Sequence, residues 1–123
     1  MIYGIGIDLV KIERMKEAHE KWGMKFFERV FTANEIEYCF QKKVPYPSLS
    51  VRFAAKEALI KAIGSEIAVN MKDIEIVSQD NGRPLLEVKG KIEKFFKTKG
   101  IKHCHISLSH EREYGIGSVV LEM

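Results

Sequence analysis

The chain of 123 residues is predicted to fold as one α+β domain, residues 1–123, in which a mostly antiparallel sheet packs with a long central helix. Segments typical of strands lie near both ends, at 2–8 and 115–122, so we expect a sheet that uses both termini. Between them, apolar residues recur at helical spacing over 52–63. Hydrophobic residues make up 46% and charged residues 30% of the chain, the balance of an ordinary globular protein.

The period of the sequence changes soon after the first strand. Small and β-branched residues over 2–8 indicate a buried strand that ends at Asp8. From Val10 to about Arg29, apolar residues recur at helical spacing. Gly23 interrupts this stretch and is the candidate break between two helices.

A short third helix and a loop are predicted next. Thr32 and Glu35 form a capping-box pattern, which opens a helix that ends near Phe40. Two prolines, at 45 and 47, predict a loop over 41–48 because proline restricts its neighbours and lacks an N–H. The central helix is therefore expected to begin at Ser48 or Ser50.

The central helix is expected to end at Ile63, because Gly64 follows it. Four strands and one short helix are predicted beyond it. A turn over 80–84 joins the first two strands as a hairpin, and the helix occupies 91–99. The four strands are expected at 74–77, 85–88, 103–109 and 115–122.

Composition excludes several classes of protein. The net charge of +3 is too small to favour nucleic acid, and no apolar run reaches the length of a membrane span. The N-terminus lacks the basic start of a signal peptide, so we expect a cytoplasmic protein. Two cysteines, Cys39 and Cys104, are too few for a disulfide framework and are expected to be reduced. His103 and His105 would share one strand face without Cys104, which disfavours a metal site there.

Acidic residues supply the first candidate chemistry. A carboxylate at Asp8 either caps the following helix or binds a cation at the strand end. Glu57 and Lys61 are four residues apart and are neighbours on one helix face. They form either a surface ion pair, worth about 0.3–0.5 kcal/mol, or part of a site. Asp8 and Glu57 together would suit Mg²⁺ if the fold brings them together.

Basic residues supply two further candidates. The first is a scattered phosphate site, whose members would be Arg52, Lys56, Lys61, Arg83 and His110. For His110 the alternative is an ordinary solvated strand end. The second is a basic face of the first helical stretch, which either docks an acidic partner or is merely solvated. Its members are Arg14, Lys21, Lys25 and Arg29, with Lys11 one turn earlier.

Five motifs occur in an order that resembles one family. They are Gly6-Ile7-Asp8-Leu9-Val10, Phe31-Thr32 with Glu35, Arg52-Phe53-Ala54-Ala55-Lys56-Glu57-Ala58 with Lys61-Ala62, Asn81-Gly82-x-Pro84, and Ser107-x-Ser109-His110. Together they resemble the holo-acyl-carrier-protein synthases, the small trimeric class of 4′-phosphopantetheinyl transferases. One departure is Ser65-Glu66, where the family tends to have Thr-Gly.

The resemblance implies an enzyme of lipid metabolism that transfers 4′-phosphopantetheine from coenzyme A to a serine of apo acyl carrier protein. By this resemblance Asp8 and Glu57 bind Mg²⁺, and Lys61 neutralises charge on the pyrophosphate or leaving group. It also implies a homotrimer with the pocket between subunits. The residues that it assigns to coenzyme A are Arg52, Lys61, Asn81, Gly82, Arg83, Pro84 and His110.

The acidic carrier protein is the partner that the resemblance implies for Arg14, Lys21, Lys25 and Arg29. Two other readings of the same residues stay open. One is a different Mg²⁺-dependent phosphotransferase, which could use the same carboxylates and cations. The other is a non-catalytic module that docks an acidic protein through the basic face.

Overall fold

The computed structural model describes residues 1–123. The chain forms five strands and five α-helices, with a short 3₁₀ turn at Met71–Asp73. In chain order they are β1 (Ile2–Lys11), α1 (Ile12–Trp22), α2 (Met24–Val30), α3 (Ala33–Phe40), α4 (Tyr46–Ile63), β2 (Ile74–Ser78), β3 (Pro84–Val88), α5 (Gly90–Lys99), β4 (His103–His110) and β5 (Tyr114–Glu122).

The main sheet has three antiparallel strands in the order β1-β5-β4, so the last strand of the chain lies in the middle. Both termini belong to it, and the backbone N–H of Met123 donates to the carbonyl of Met1 at 2.8 Å. Strands β2 and β3 form a separate antiparallel hairpin. The expected α+β class and antiparallel pairing are confirmed.

Helix α4 lies unusually close to β1 and β5 because both strands present glycine to it. A Cβ added to Gly6 would lie 1.8 Å from the carbonyl oxygen of Ala58. One added to Gly117 would lie 2.5 Å from the backbone nitrogen of Ala55. Glycine on the sheet and alanine on the helix therefore allow backbone-to-backbone packing, which places α4 side chains close to the strand residues beside them.

Two hydrophobic clusters lie on different sides of α4. The larger joins the sheet, the hairpin and α5 to the helix, and Leu59 and Ile74 are fully buried in it. The smaller joins α1, α2 and α3 to the helix around Phe27 and Leu49. Because α4 is covered from several sides, most of its residues are buried, and its charged side chains are confined to particular environments.

Asp8 lies within a strand rather than at its end. Strand β1 continues to Lys11 because residues 9–11 pair with residues 114–116 of β5. Lys11 occupies the N-cap position of α1 and makes no side-chain capping bond. The prediction of a strand ending at Asp8 is therefore wrong, and so is the alternative in which Asp8 caps the helix. Gly23, with φ of +64°, separates α1 from α2 as expected.

The central helix begins earlier than predicted. It starts at Tyr46, and the N–H of Leu49 already donates to the carbonyl of Pro45 at 3.0 Å. Pro47 fits the first turn because a helix leaves its first N–H groups without intrahelical partners. The predicted capping box of α3 is confirmed: Thr32 Oγ1 accepts from the N–H of Glu35, and the Glu35 carboxylate accepts from the N–H of Thr32.

The sheet face that points away from α4 carries an exposed apolar row. Ile5, Ile7 and Leu9 of β1 are 69%, 58% and 59% exposed. Three branched side chains in a row on one strand form a larger apolar patch than isolated surface residues do. Separately, none of the helices combines the length and the apolar composition that crossing a membrane requires.

Candidate functional site

The first site forms where β1 meets α4. Lys61 Nζ lies 3.1 Å from Asp8 Oδ1 and donates to the carbonyl of Ile7 at 3.0 Å. The Asp8 side chain is 19% exposed and that of Lys61 is 55% exposed, so the pair opens to solvent. Lys61 pairs with the strand carboxylate rather than with Glu57, and the predicted surface pair between Glu57 and Lys61 is therefore wrong.

Glu57 is the residue of this site whose pKa is shifted. Partial burial raises the pKa of the Glu57 carboxyl, and the neighbouring Asp8 carboxylate raises it further. The cations of Lys61 and Arg14 act in the opposite direction. Two carboxylates that repel each other across a partly buried gap favour an additional cation.

The donor set fits a hard cation with few protein ligands. Mg²⁺ binds through one or two carboxylates and completes its coordination with water and substrate phosphates. Asp8 and Glu57 provide two such groups, which the fold brings together from a strand and a helix. No group of three His, Cys, Asp or Glu side chains in the chain could hold a metal ion, so a zinc-type site with three or four protein ligands is absent.

A larger cleft lies between α3, the start of α4, the hairpin turn and β4. It has a volume of about 400 Å³. Four of the residues expected to bind coenzyme A line it: Arg52, Gly82, Pro84 and His110. Neither Asn81 nor Arg83 lines the cleft, although both belong to the same turn. Asn81 Oδ1 instead accepts from the N–H of Arg83 at 3.0 Å.

Arg52 is held in this cleft by α4 and β2. Its guanidinium is 5% exposed, donates to the Ser48 carbonyl and hydroxyl at 3.2 and 2.8 Å, and donates to Ser78 Oγ at 3.0 Å. The Nε atom is buried and has no hydrogen-bond partner. A buried donor without an acceptor is costly, and the guanidinium places positive charge at the wall of the cleft, which favours an anion there.

Tyr38 and Lys42 also line the cleft and were not predicted from the sequence. The Arg52 guanidinium lies 4.6 Å and the Lys42 ammonium 5.0 Å from the centre of the Tyr38 ring. A hydrogen bond with Ser78 lowers the pKa of Tyr38, and the two nearby cations lower it further. Lys42 lies just beyond the end of α3, so helical spacing gave no signal for this pair.

Lys56 does not belong to a phosphate site. It is fully buried, and its Nζ lies 2.6 Å from Glu35 Oε1. Burial lowers the pKa of Lys56, and the Glu35 carboxylate limits that fall. Because its ammonium is enclosed by protein acceptors, the expectation that Lys56 contacts phosphate is wrong.

A third feature is a basic and apolar groove between α1, α2 and α4. It has a volume of about 260 Å³, and Arg14 and Lys21 stand beside apolar side chains that include Phe26 and Phe53. Trp22 is 58% exposed at its edge. The remaining two residues of the predicted basic face, at 25 and 29, lie on α2 beyond the break and do not line the groove.

Glu66, at the position that departs from the family pattern, does not line the cleft that contains Arg52 and His110. Its Oε2 forms an ion pair with Lys99 Nζ at 3.0 Å, and its Oε1 is 3.5 Å from the hydroxyl of Tyr3. The side chain therefore connects the segment after α4 to α5.

The fold and these sites define a small α+β protein with a two-carboxylate junction and a cleft lined by cationic side chains. A family model described as the 4′-phosphopantetheinyl transferase superfamily matches residues 4–119. Curated holo-[acyl-carrier-protein] synthases match along almost the whole chain. Those from Halothermothrix orenii and Syntrophus aciditrophicus are 44% and 41% identical; each match covers 99% of this chain and 98% and 97% of the relative.

Solved structures agree with this assignment. The chain superposes on holo-[acyl-carrier-protein] synthase from Neisseria meningitidis with a TM-score of 0.91 and 34% identity, covering all of both chains. The Helicobacter pylori enzyme in complex with coenzyme A gives 0.83 and 31%, over 96% of this chain and 99% of that one. The protein therefore belongs to the 4′-phosphopantetheinyl transferase superfamily, and the predicted family and enzyme class are confirmed.

Proposed function

We propose that the protein transfers 4′-phosphopantetheine from coenzyme A to a serine of apo acyl carrier protein, as one domain over residues 1–123 in the cytoplasm. The serine oxygen forms a bond to the phosphorus next to pantetheine, and the bond from that phosphorus to the bridging pyrophosphate oxygen breaks. Adenosine 3′,5′-bisphosphate leaves, and a base at or beside Glu57 accepts the serine proton. The observation that carries the proposal is the presence, in one chain, of a two-carboxylate site and a cleft that Arg52 and His110 line.

Asp8 and Glu57 would hold Mg²⁺ in this reaction. When bound, the ion supplies positive charge that neutralises the pyrophosphate and the charge that develops on it. The fit rests on the raised pKa of Glu57, which partial burial raises most and the neighbouring Asp8 carboxylate raises further. Glu57 makes no ion pair of its own, so its carboxylate is free to bind a cation.

Lys61 would neutralise charge on the pyrophosphate or on the leaving bisphosphate. Its side chain is 55% exposed while it pairs with Asp8, so the ammonium can meet a ligand without leaving the site. A flexible point charge suits a group whose charge moves during the reaction.

The cleft at the hairpin turn would hold the nucleotide of coenzyme A. Arg52 contributes the positive charge of its guanidinium, and His110 and Lys42 add positive or hydrogen-bonding groups at the rim. The turn formed by residues 81–84 would close over the base or the ribose. Two similar structures support coenzyme A as the ligand. They are the Helicobacter pylori enzyme in complex with coenzyme A and the Bacillus anthracis enzyme in complex with coenzyme A (3′,5′-ADP).

The groove beside α1 would dock the acyl carrier protein. Arg14 and Lys21 supply positive charge, and Trp22 supplies exposed apolar area next to it. Lys25 and Arg29 on α2 would add to the field that attracts an acidic partner rather than line the groove.

The exposed apolar row on β1 supports a homotrimer. Ile5, Ile7 and Leu9 would be buried between copies of the chain, and the coenzyme pocket would lie between subunits. Light scattering should give three times the chain mass of 14.1 kDa. Ile7→Asp should lower that mass and the activity together. A wild-type monomer that is fully active would contradict the shared pocket.

Intact-mass spectrometry tests the reaction directly. An apo acyl carrier protein incubated with the enzyme, coenzyme A and Mg²⁺ should gain one phosphopantetheine, and EDTA should prevent the gain. Glu57→Gln should abolish it, whereas Glu93→Gln, the same change on an exposed face of α5, should not. No gain with several carrier proteins, from an enzyme that remains folded, would favour another Mg²⁺-dependent phosphotransferase or a docking module.

A further inference from the structure

The ammonium of Lys56 is the most completely enclosed charge in the protein. Its Nζ donates to Glu35 Oε1 at 2.6 Å, to the carbonyl of Val30 at 2.8 Å and to the carbonyl of Met71 at 3.0 Å. An ammonium has three N–H donors, so all three have acceptors. These acceptors come from α3, from the end of α2 and from the 3₁₀ turn before β2.

Glu35 extends the same network. Its Oε1 also accepts from the N–H of Thr32 at 2.9 Å, and its Oε2 accepts from the N–H of Ile76 in β2 at 2.8 Å. Thr32 Oγ1 in turn donates to the carboxylate of Glu75. The buried carboxylate therefore joins the start of α3 and the middle of β2 to Lys56 on α4.

The two elements joined in this way also supply the walls of the cleft. Tyr38 lies three residues after Glu35 on α3, and Ser78 lies two residues after Ile76 on β2. Both of them meet Arg52, which precedes Lys56 by one helical turn on α4. Two cations on one side of α4 thus connect the same pair of elements, one inside the core and one in the cleft.

We propose that the Lys56–Glu35 pair is the positioning element of the coenzyme cleft. It fixes α3 and β2 against α4, so that Tyr38 and Ser78 converge on Arg52. The inference rests on the proposed binding of coenzyme A in this cleft. Lys56 touches no substrate in this scheme and acts through the residues that line the cleft.

The site at Asp8 and Glu57 is held by a different set of contacts. Glu57 follows Lys56 in the chain, and successive helical side chains project about 100° apart. On that side α4 is fixed to β1 by the close contact of Gly6 with Ala58, which the buried pair does not share. Loss of the pair should therefore disturb coenzyme binding far more than the chemical step.

Lys56→Met tests this expectation, because methionine keeps an unbranched side chain only one atom shorter and removes the ammonium. With saturating carrier protein, we expect KM for coenzyme A to rise about tenfold and kcat to change by less than about threefold. Ile92→Ala serves as the control, because it creates a cavity under α5, away from the pair. We expect it to lower the melting temperature about as much as Lys56→Met does. Lys99→Met, which removes the exposed pair with Glu66, should leave both constants unchanged.

Tyr38 provides a second readout that does not depend on activity. Its phenol absorbance should titrate at higher pH in the Lys56→Met protein, because Ser78 and Arg52 no longer stand beside it. Subtracting the titration of Tyr38→Phe isolates this residue from the other tyrosines. If Lys56→Met does not fold, Glu35→Gln carries the same test, since its amide would turn an N–H toward the N–H of Ile76.

The inference is overturned if KM for coenzyme A rises no more in Lys56→Met than in Ile92→Ala, or if the titration of Tyr38 does not move. A loss of kcat with unchanged KM would also overturn it. If the wild-type protein does not modify a carrier protein, the proposed function fails first, and the Tyr38 titration still decides whether the buried pair positions the cleft.

Discussion

Lys61 lies 3.1 Å from Asp8, and this pair leaves Glu57 as the carboxylate without a cationic partner at the junction of β1 and α4. Sequence spacing alone suggested the opposite pairing, since Glu57 and Lys61 are four residues apart on one helix. The close packing of α4 on β1 brings the strand carboxylate within reach of Lys61. The junction therefore holds one paired carboxylate, Asp8, and one without an ion pair, Glu57. Burial and Asp8 raise the pKa of Glu57, although Lys61 and Arg14 act against this, and an added cation would stabilise both carboxylates.

Glu57→Gln should stabilise the metal-free protein at neutral pH. The folded-state pKa of Glu57 is raised, first by burial and then by Asp8, so its ionisation costs stability as pH rises through that pKa. Below the ordinary pKa of glutamate the carboxyl is protonated in both states, and the cost vanishes. Thermal unfolding in EDTA should show a gain of up to about 1 kcal/mol at pH 7.5 and none at pH near 4. An equal gain at both pH values would contradict this.

Mg²⁺ should raise the melting temperature of the wild-type protein. A ligand that binds only the folded state stabilises it by about 2.7 kcal/mol at one hundred times its dissociation constant. Asp8→Asn and Glu57→Gln should each remove most of this gain, while Glu93→Gln should keep it. Calorimetric scans with Mg²⁺ and with EDTA supply the comparison, and an undiminished shift in Asp8→Asn would refute the assignment of that ligand.

Arg14→Glu should weaken docking of the carrier protein. It reverses a charge beside the exposed Trp22, in the groove proposed for the acidic partner. We expect KM for the carrier protein to rise at least tenfold and its dependence on salt to decrease. Lys94→Glu on α5 changes the net charge by the same amount at an exposed position. Equal effects of the two variants would indicate a general charge effect rather than a docking groove.

The two cysteines should be nearly inert toward thiol reagents in the folded protein. Burial raises the pKa of Cys104 to about 12, and it also raises the pKa of the fully buried Cys39. At pH 8 the thiolate fraction of Cys104 is about 10⁻⁴, and the thiolate is the reactive form. Both thiols should react promptly once the protein is denatured in guanidinium. Fast labelling of the folded protein would contradict the burial of these side chains.

Gly6→Ala should destabilise the protein strongly. The added methyl group would lie 1.8 Å from the carbonyl oxygen of Ala58, so β1 and α4 must move apart. Such overpacking costs about 1–3 kcal/mol, and backbone contacts give way less readily than side chains. Ser118→Ala, on the opposite face of the sheet, is the control, and it should change the melting temperature little. Activity of Gly6→Ala should fall as well, because the same movement separates Asp8 from Lys61.

Local signals in the sequence predicted the helix and turn boundaries well. Thr32 and Glu35 correctly predict the start of α3, and the glycines at 64 and 100 correctly predict two helix ends. Pro47 was misread, because a proline tolerated in the first turn of a helix carries the same local signature as one in a loop. Strand β1 was predicted too short because its last residues gain their partners from residues more than a hundred positions later.

The site residues also divide into those that the sequence predicted correctly and those that depend on distant partners. Arg52, Gly82, Pro84 and His110 were expected to act together, and the fold does bring them to one cleft. Lys56 was assigned to a phosphate site because its actual partner, Glu35, is twenty-one residues away in the sequence. Glu35 also lies in a motif that was already explained as a helix cap. A buried ion pair between distant elements leaves no periodic trace in a sequence, so only the packed fold reveals it.

Strand β5 occupies the middle of the sheet and follows every other strand in the sequence. Until it emerges, β1 and β4 have no common partner, and the sheet surface on which α4 packs is incomplete. The nascent chain therefore remains without its larger core until β5 has been synthesised. Loss of β5 should leave β1 and β4 without a partner, rather than a slightly smaller enzyme.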